Sequence, residues 1–360
     1  MAVLAGGGFG ALSGCLGSPS AGVEGRELTD LAGRTVTVPA EPERIVPLEP
    51  NSSRLVAQLD ATELIAGVES EETGWLREVP YNLATPELAD RPVIGGRGGD
   101  PEAILAVEPD LLLSTGSASE LEDTTERTGL PTFGLTVADP GEFVVGDGPT
   151  VETVWERAGA VLGRTDRAAE LVDFFEELRS DLADRTAGVD GPTTYASGMG
   201  FRGGHGFEGT RPVFAPFDLL GAANVAADVG FEGAAHVTVS PERLLEWDPE
   251  VVFLDRANLE LVRDDLADTP AYRELTAFEA GTVHALLPNA QYGQNHANAL
   301  VNAYYVGSVL YPDAFGDVDV ERRAAGIYET VLGRPLYEAV AGIDGGLGPL
   351  EPESLARAGA

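Results

Sequence analysis

Lysine is absent from this chain of 360 residues: all 23 basic residues are arginines, and they face 59 acidic residues, for a formal net charge of −36. A charge of that sign argues against nucleic acid as a partner, because the phosphates would be repelled. The acids are spread through every segment and form no block. This spread favours a solvated surface adapted to high salt over a cation store or an acidic docking face.

Cysteine is nearly absent as well. Cys15 is the only one, so no intramolecular disulfide can form and no cysteine-bound metal cluster can be built. The chain also has no P-loop and no Ser-His-Asp signature. These absences argue against catalysis.

One apolar stripe organises the middle of the chain. Within residues 165–188 apolar side chains recur three and four positions apart, at Ala168, Leu171, Phe175, Leu178 and Leu182. The spacing predicts a single helix of roughly 30 Å that no proline interrupts and that Thr165 or Asp166 caps. On both sides, short apolar runs alternate with helical patterns, which is typical of parallel βα units.

The predicted fold is therefore α/β, with two Rossmann-like lobes that have central parallel sheets, one long rigid inter-lobe helix and a ligand cleft between the lobes. Among the predicted strands are residues 64–68 and 92–94. The predicted divisions are a signal, lipobox and linker (1–26), an N-terminal lobe (27–163), the inter-lobe helix (164–188), a C-terminal lobe (189–340) and a loosely ordered tail rich in glycine and proline (341–360).

An internal repeat supports the two-lobe interpretation. Residues 100–112 align without gaps on residues 240–252. Each copy has a helix-capping residue, a proline at the first helical position, a glutamate in the first turn, a short helix, a second proline and a buried strand. The repeat predicts the same supersecondary unit in both lobes.

The chain resembles the substrate-binding lipoproteins of ABC importers, in the helical-backbone class that binds iron–siderophore complexes, haem or cobalamin. The segments that carry the resemblance are residues 30–39, 42–46, 100–105, 108–112, 203–206, 216–217, 240–245, 302–305 and 309–312. Together they span roughly residues 28 to 315. They are specific to the fold and the transporter class, and weakly specific to the ligand.

The resemblance implies a monomeric, non-catalytic protein without a cofactor of its own. It would capture an iron(III) chelate, a siderophore complex or haem, and deliver it to an ABC permease dimer with its ATPase. Cobalamin is the alternative ligand. The resemblance also implies that Glu102 and Glu242, which are equivalent in the repeat, dock onto arginines of the two-fold permease.

The N-terminus resembles a lipoprotein signal. Residues 2–12 are apolar, and Leu12-Ser13-Gly14-Cys15 resembles a lipobox with Cys15 as the lipidated residue. The apolar run is too short to span a bilayer, so we expect a lipid anchor at the extracellular face of the cytoplasmic membrane. No basic residue precedes the run, which leaves open a start upstream of Met1.

Ligands of open α/β sheets bind where the carboxyl ends of the strands meet. Arg97 lies in a loop of four glycines and could pair with carboxylate or hydroxamate oxygens, although a surface role is equally compatible. Trp75 could stack on a chelate or pack between the lobes, and Asn295 could serve only as a helix cap. The predicted ligand-binding residues are Asn51, Trp75, Arg97, Phe201, Arg202, His205, Arg211, Tyr292, Asn295 and His296.

The four histidines have no compact metal-binding spacing. Capture of a preformed complex is therefore favoured over capture of a bare metal ion, and no metal ligands are predicted. His284 alternates within a predicted strand and is expected to be structural. Two other classes stay open: a two-lobed metal- or tetrapyrrole-handling enzyme, and a lipid-anchored interaction module without a small ligand.

Overall fold

The computed structural model describes residues 25–135, 150–200, 203–230, 236–351 and 355. The strands are β1 (Gly25–Thr29), β2 (Thr35–Pro39), β3 (Ile45–Leu48), β4 (Leu111–Ser114), β5 (Thr132–Gly134), β6 (Thr194–Ser197), β7 (Gly209–Thr210), β8 (Val237–Thr238), β9 (Val251–Asp255), β10 (Val283–Leu286) and β11 (Gly348–Pro349). The α-helices are α1 (Ser52–Gln58), α2 (Ser70–Thr73), α3 (Pro80–Ala84), α4 (Pro101–Ala106), α5 (Ala118–Thr128), α6 (Val151–Leu162), α7 (Thr165–Thr186), α8 (Ala215–Asp218), α9 (Pro241–Trp247), α10 (Leu259–Asp268), α11 (Thr276–Ala280), α12 (His296–Leu310), α13 (Val320–Leu332) and α14 (Tyr337–Asp344).

Each lobe is built on its own parallel sheet. In the first lobe the strand order is β3-β4-β5, and in the second it is β6-β9-β10, with β11 added antiparallel at the edge. Every residue of β3, β4, β6 and β9 is buried, as expected for strands covered by helices on both faces. The predicted α/β class with two parallel-sheet lobes is confirmed.

Two predicted strands are wrong. Residues 64–68 and 92–94 contribute only isolated bridges, between Ile45 and Ile65 and between Val68 and Val93. Residues 62–64 form a 3-10 turn, so Leu64 belongs to a turn and only Ile65 bridges to β3. A short apolar run therefore predicts burial here but not a strand.

Helix α7 is the long helix that joins the lobes. It has 22 residues, and the five stripe residues of the sequence prediction are all buried. It packs against α6 of the first lobe and α12 of the second. Arg167 of α7 donates to the carbonyl of Gln58 at 3.1 Å and to that of Thr330 at 2.5 Å, so one guanidinium joins the two lobes. The predicted cap is wrong, because the helix starts at Thr165 itself and Arg164 occupies the capping position without a side-chain bond.

The sequence repeat is also a structural repeat. Asp100 caps α4 and Ser240 caps α9 with side-chain oxygens, and each helix leads into a buried strand at the same place in its sheet. The turn residues Glu108 and Asp248 both adopt positive φ, 48° and 41°.

The acidic residues that precede the strand of each repeat unit, Asp110 and Glu250, form equivalent hydrogen bonds in the two lobes. The Asp110 side chain accepts from the backbone N–H of Glu43 at 2.8 Å, just before β3. The Glu250 side chain accepts from the backbone N–H of Thr193 at 2.8 Å, just before β6. Each acid thus aligns the start of its neighbouring strand, and the lobes share one supersecondary unit.

The prediction of a loosely ordered tail from residue 341 is wrong for residues 341–350. Helix α14 continues to Asp344, β11 pairs with β10, and Leu350 is buried with its N–H bonded to the Val283 carbonyl at 2.8 Å. The glycines at 345 and 346 form the turn that returns the chain to the sheet, both at positive φ. Glycine and proline here mark a turn between ordered elements.

Among the described residues, no helix combines the length and the apolar character that crossing a membrane requires. The predicted signal segment and Cys15 lie outside the described residues.

The packing of α7 can be tested at Phe175, which is fully buried and contacts Trp155 edge-on at 6.2 Å between ring centroids. Phe175→Ala should lower the free energy of unfolding by about 3–5 kcal/mol, because it removes a buried ring and leaves a cavity. Chemical denaturation at fixed KCl measures the change. Glu177→Ala, on the exposed face of the same helix, is the control; equal effects of the two substitutions would contradict the assignment of the buried face.

Candidate solute-binding cleft

The loop after β10 reaches across to the first lobe. Residues 287–295 lie at the carboxyl end of the second sheet, and the backbone N–H of Asn51, after β3, donates to the Tyr292 carbonyl at 3.3 Å. Gly293 has φ of +93°, and a Cβ added there would lie 2.2 Å from Asn51 Oδ1. The positive φ favours glycine, and a larger residue would also have to displace the Asn51 side chain, so the two loops are fitted to each other.

Arg54 of α1 holds that loop through hydrogen bonds from its guanidinium. Its Nη2 donates to the Gln291 carbonyl at 2.8 Å and to Asn295 Oδ1 at 3.0 Å. Its Nη1 donates to Asn51 Oδ1 and, at 3.3 Å, to the Tyr292 carbonyl. Burial lowers the pKa of Arg54, and these oxygens replace the water that the buried guanidinium has lost.

The ring of Tyr81 lies beneath Arg54, with the guanidinium carbon 5.0 Å from the ring centroid. The Tyr81 hydroxyl donates to Glu72 at 2.7 Å, and both residues are buried. A cavity of about 10 Å³ between Arg54, Tyr81 and His296 has room for roughly one water molecule. The floor of the cleft is thus a closed polar layer.

Glu69 is the second inter-lobe contact. Its Oε1 accepts from the backbone N–H groups of Glu49 at 2.9 Å and Gly98 at 2.6 Å, and its Oε2 accepts from the Tyr292 hydroxyl at 2.6 Å. Burial raises the pKa of Glu69 to about 7, although the three hydrogen bonds oppose that rise. One carboxyl therefore joins two loops of the first lobe to the second lobe.

The open part of the cleft carries an exposed indole and a guanidinium. Trp75 is 60% exposed and meets the Tyr292 ring edge-on, with 6.0 Å between the centroids. The Arg97 side chain is 58% exposed and forms an ion pair with Glu49 through Nε. Its Nη1 and Nη2 groups have no hydrogen bond among the described residues. Tyr292 thus lies against Trp75 and within electrostatic range of Arg97, and we call these three residues the rim.

The second-lobe candidates lie around β7 and β8. The rings of His205 and His236 are 3.8 Å apart between centroids. Burial, followed by the charges of His205 and Arg211, lowers the pKa of His236 to about 4. Arg211 is buried and donates to the Gly200 carbonyl at 3.0 Å, so it supports the 198–200 loop from inside the lobe. The candidates Phe201 and Arg202 lie outside the described residues.

The structure corrects the predictions for Asn295 and His296. Asn295 is buried, accepts from Arg54 and forms no side-chain cap on α12. His296 is 1% exposed, with Nδ1 3.2 Å from the Gln58 side chain and its ring edge-on to Trp155. Burial and the charge of Arg54 lower the pKa of His296 to about 3. Both residues belong to the buried floor of the cleft, in contrast to the exposed loop position expected from the sequence.

Three residues that shape the cleft were missed as site residues. Arg54 lies in a segment that reads as a helix, and nothing in the sequence shows that its side chain crosses to the other lobe. Glu49 and Glu69 directly follow buried runs, and this position at the end of an apolar run was the available signal. In the part of the chain that the structure describes, no group of three or more His, Cys, Asp or Glu residues could hold a metal ion.

Comparison with known proteins identifies the family. The model of the periplasmic binding protein family matches residues 45–290, more than half of the chain. The chain belongs to the periplasmic binding protein family. It is the solute-binding component of an ABC importer.

Two curated relatives show the range of solutes among similar proteins. The molybdate-binding protein MolA of Haemophilus influenzae is 27% identical over 331 residues, which cover 84% of this chain and 90% of MolA. A cobalamin-binding protein of Halobacterium salinarum is 24% identical over 274 residues, 72% of this chain and 67% of the relative. The structure of MolA bound to molybdate has the same fold, with a TM-score of 0.68 at 22% identity over 86% of this chain and 98% of MolA.

The buried carboxyl of Glu69 predicts a pH effect on stability. The pKa of Glu69 is raised from 4.5 to about 7 in the folded state, so the folded protein binds more protons in this interval and its free energy of unfolding falls as the pH rises. Glu69→Gln should remove this loss. The free energy of unfolding of the variant, relative to that of the unsubstituted protein, should therefore rise by about 1–3 kcal/mol from pH 5 to pH 8.

Denaturation at both pH values in fixed KCl measures this difference. Asp255, whose pKa burial also raises to about 7, contributes equally to both proteins and cancels. Glu63→Gln, at an exposed ion pair with Arg164, is the matched control. Parallel pH profiles of the unsubstituted protein and Glu69→Gln would refute the assignment to Glu69.

Proposed function

We propose that this binding protein captures an iron(III) complex of an organic chelator, a siderophore or haem, and delivers it as a monomer to the permease dimer of its importer. The observation that carries the proposal is the rim where Trp75, Arg97 and Tyr292 meet. An exposed indole offers an apolar face to an organic shell. A guanidinium whose two Nη groups form no hydrogen bond with the described residues suits the anionic oxygens of a chelate.

The acids of the cleft argue against a bare oxyanion such as the molybdate that MolA binds. Glu49 pairs with Arg97, and Glu69 lies behind the same loop. A small tetrahedral anion placed near Arg97 would meet the charge of Glu49 at close range. A larger chelate can direct its anionic oxygens at Arg97 and place its apolar parts against Trp75.

Cobalamin is the second candidate solute. The relatives from Halobacterium salinarum named as cobalamin-binding proteins favour it, and the exposed face of Trp75 could pack against a macrocycle. Iron chelates remain our first choice because Arg97 supplies a charge for an anionic ligand.

Calorimetric titration in molar KCl, against a ferric hydroxamate, a ferric catecholate, haem, cobalamin and molybdate, decides between these solutes. Saturable binding of one iron complex supports the proposal. Binding of cobalamin alone selects the second candidate, and binding of molybdate alone contradicts both.

The two rim residues should each contribute to affinity. Arg97→Ala should weaken binding of an anionic iron chelate by roughly 1–3 kcal/mol. Trp75→Ala should weaken it by about 1–2 kcal/mol, because an apolar contact is lost. Arg127→Ala is the matched control, since Arg127 is similarly exposed and pairs with Asp123 on α5. Affinities that match the control in both rim variants would show that the chelate binds elsewhere.

We also propose that Cys15 is lipidated and holds the protein at the extracellular face of the cytoplasmic membrane. Cys15→Ser should then leave solute affinity unchanged and release the protein from membranes into the soluble fraction. Membrane association that persists in this variant would contradict the anchor. The docking role of Glu102 and Glu242 likewise stays a proposal, supported by their equivalent exposed positions on α4 and α9.

A further inference from the structure

The described part of the chain exposes few large apolar side chains. Those at least moderately exposed are Trp75, Val93, Leu105, Val189, Leu245, Leu261 and Ile343. Two of them occupy the same position of the internal repeat: Leu105 is 44% exposed on α4, and Leu245 is 37% exposed on α9. In each helix the preceding residue, Ile104 or Leu244, is buried in the core of its lobe.

The match extends through the first ten positions of the repeat. Position by position, residues 100–109 and 240–249 have the same degree of burial except at 103 and 243. The exposed leucine is therefore a property of the shared unit, present once in each lobe. Core packing does not account for it, since the neighbouring residue already fills the core position. Each lobe keeps an apolar side chain in water at the same point of its surface.

Each exposed leucine lies one helical turn from an exposed glutamate. Glu102 and Leu105, like Glu242 and Leu245, are three residues apart and lie on one face of a short helix. Both lobes thus present an acid and a leucine side by side. Two equivalent pairs on one chain fit a partner that has two equivalent sites, which is the symmetry of a permease dimer.

We propose that Leu105 and Leu245 form the apolar part of a two-site docking surface, and that its partner is the permease dimer of the same importer. Each permease subunit would offer a cation for the glutamate and an apolar pocket for the leucine. The proposal rests on the proposed function as the solute-binding component of that importer. It extends the docking role beyond the two glutamates.

The acidity of the chain suggests that the leucines and the glutamates contribute to docking at different salt concentrations. With a net charge of −36, ion pairs guide association at low salt, but at 1 M salt the Debye length is only about 3 Å and exposed ion pairs weaken. Burial of apolar surface is not screened in this way. The glutamates should therefore dominate docking in dilute salt, and the leucines should maintain it in concentrated salt.

The test measures association of the full-length protein with the permease–ATPase complex of its importer in lipid nanodiscs, at 0.3 M and 2 M KCl. Leu105→Ala and Leu245→Ala should each weaken docking about tenfold at both salt concentrations, and about a hundredfold together. Glu102→Gln with Glu242→Gln should weaken docking strongly at 0.3 M and much less at 2 M. Leu261→Ala, at a leucine 41% exposed outside the repeat, should change nothing.

Full docking by the double leucine variant at 2 M KCl would overturn the proposal. So would a loss confined to self-association in sedimentation, which would identify a second copy of this chain as the partner. Thermal unfolding of each variant confirms that exposed positions were altered without loss of fold. Docking is measured without added solute. A protein that docks normally but binds none of the tested solutes would therefore contradict the proposed solute and still support the docking surface.

Discussion

A buried guanidinium, that of Arg54, is the contact on which the cleft depends. Removing this charge from water is costly, and the four oxygens around Nη1 and Nη2 offset the cost only while the loop at residues 291–295 stays in place. Lysine could not replace it, because a single ammonium cannot reach acceptors spread over two lobes in a planar fork. The position of the second-lobe loop is thus set by a residue of the first lobe.

Glu69 and α7 also hold the two lobes in this relative position. Glu69 joins the Tyr292 hydroxyl to the backbone of the first-lobe loops, and Arg167 of α7 bonds carbonyls of both lobes behind the sheets. The loops that carry Trp75 and Arg97 are therefore restrained by contacts with the second lobe, through Tyr292 and Glu69. Such preorganisation lowers the entropy that binding a solute would cost.

The sequence could predict those parts of the molecule that depend on local spacing. The stripe of α7 and the repeat at residues 100–112 and 240–252 need only neighbours along the chain, and both were found. Asn295 and His296 were misjudged because their partners, Arg54 and Gln58, are 241 and 238 residues away. Loop position alone suggested exposure, whereas burial there is decided by the meeting of two lobes. The prediction of a loosely ordered tail was wrong for the same reason, because β11 is ordered by its pairing with β10.

The arginines are too few to offset the acidity of the chain. Many guanidinium groups serve backbone carbonyls: Arg44 donates to Val107, Arg256 to Gly346 and Arg334 to Leu83. Because 59 acidic residues face only 23 arginines, most carboxylates have no cation to offset them, and the resulting field repels anions at long range in dilute salt. In concentrated salt that field is short-ranged, so a solute at the proposed site would meet chiefly the charges of Arg97 and Glu49. Under the two proposals, recognition in concentrated salt would depend largely on apolar contact, by the exposed indole of Trp75 for the solute and by Leu105 and Leu245 for the permease.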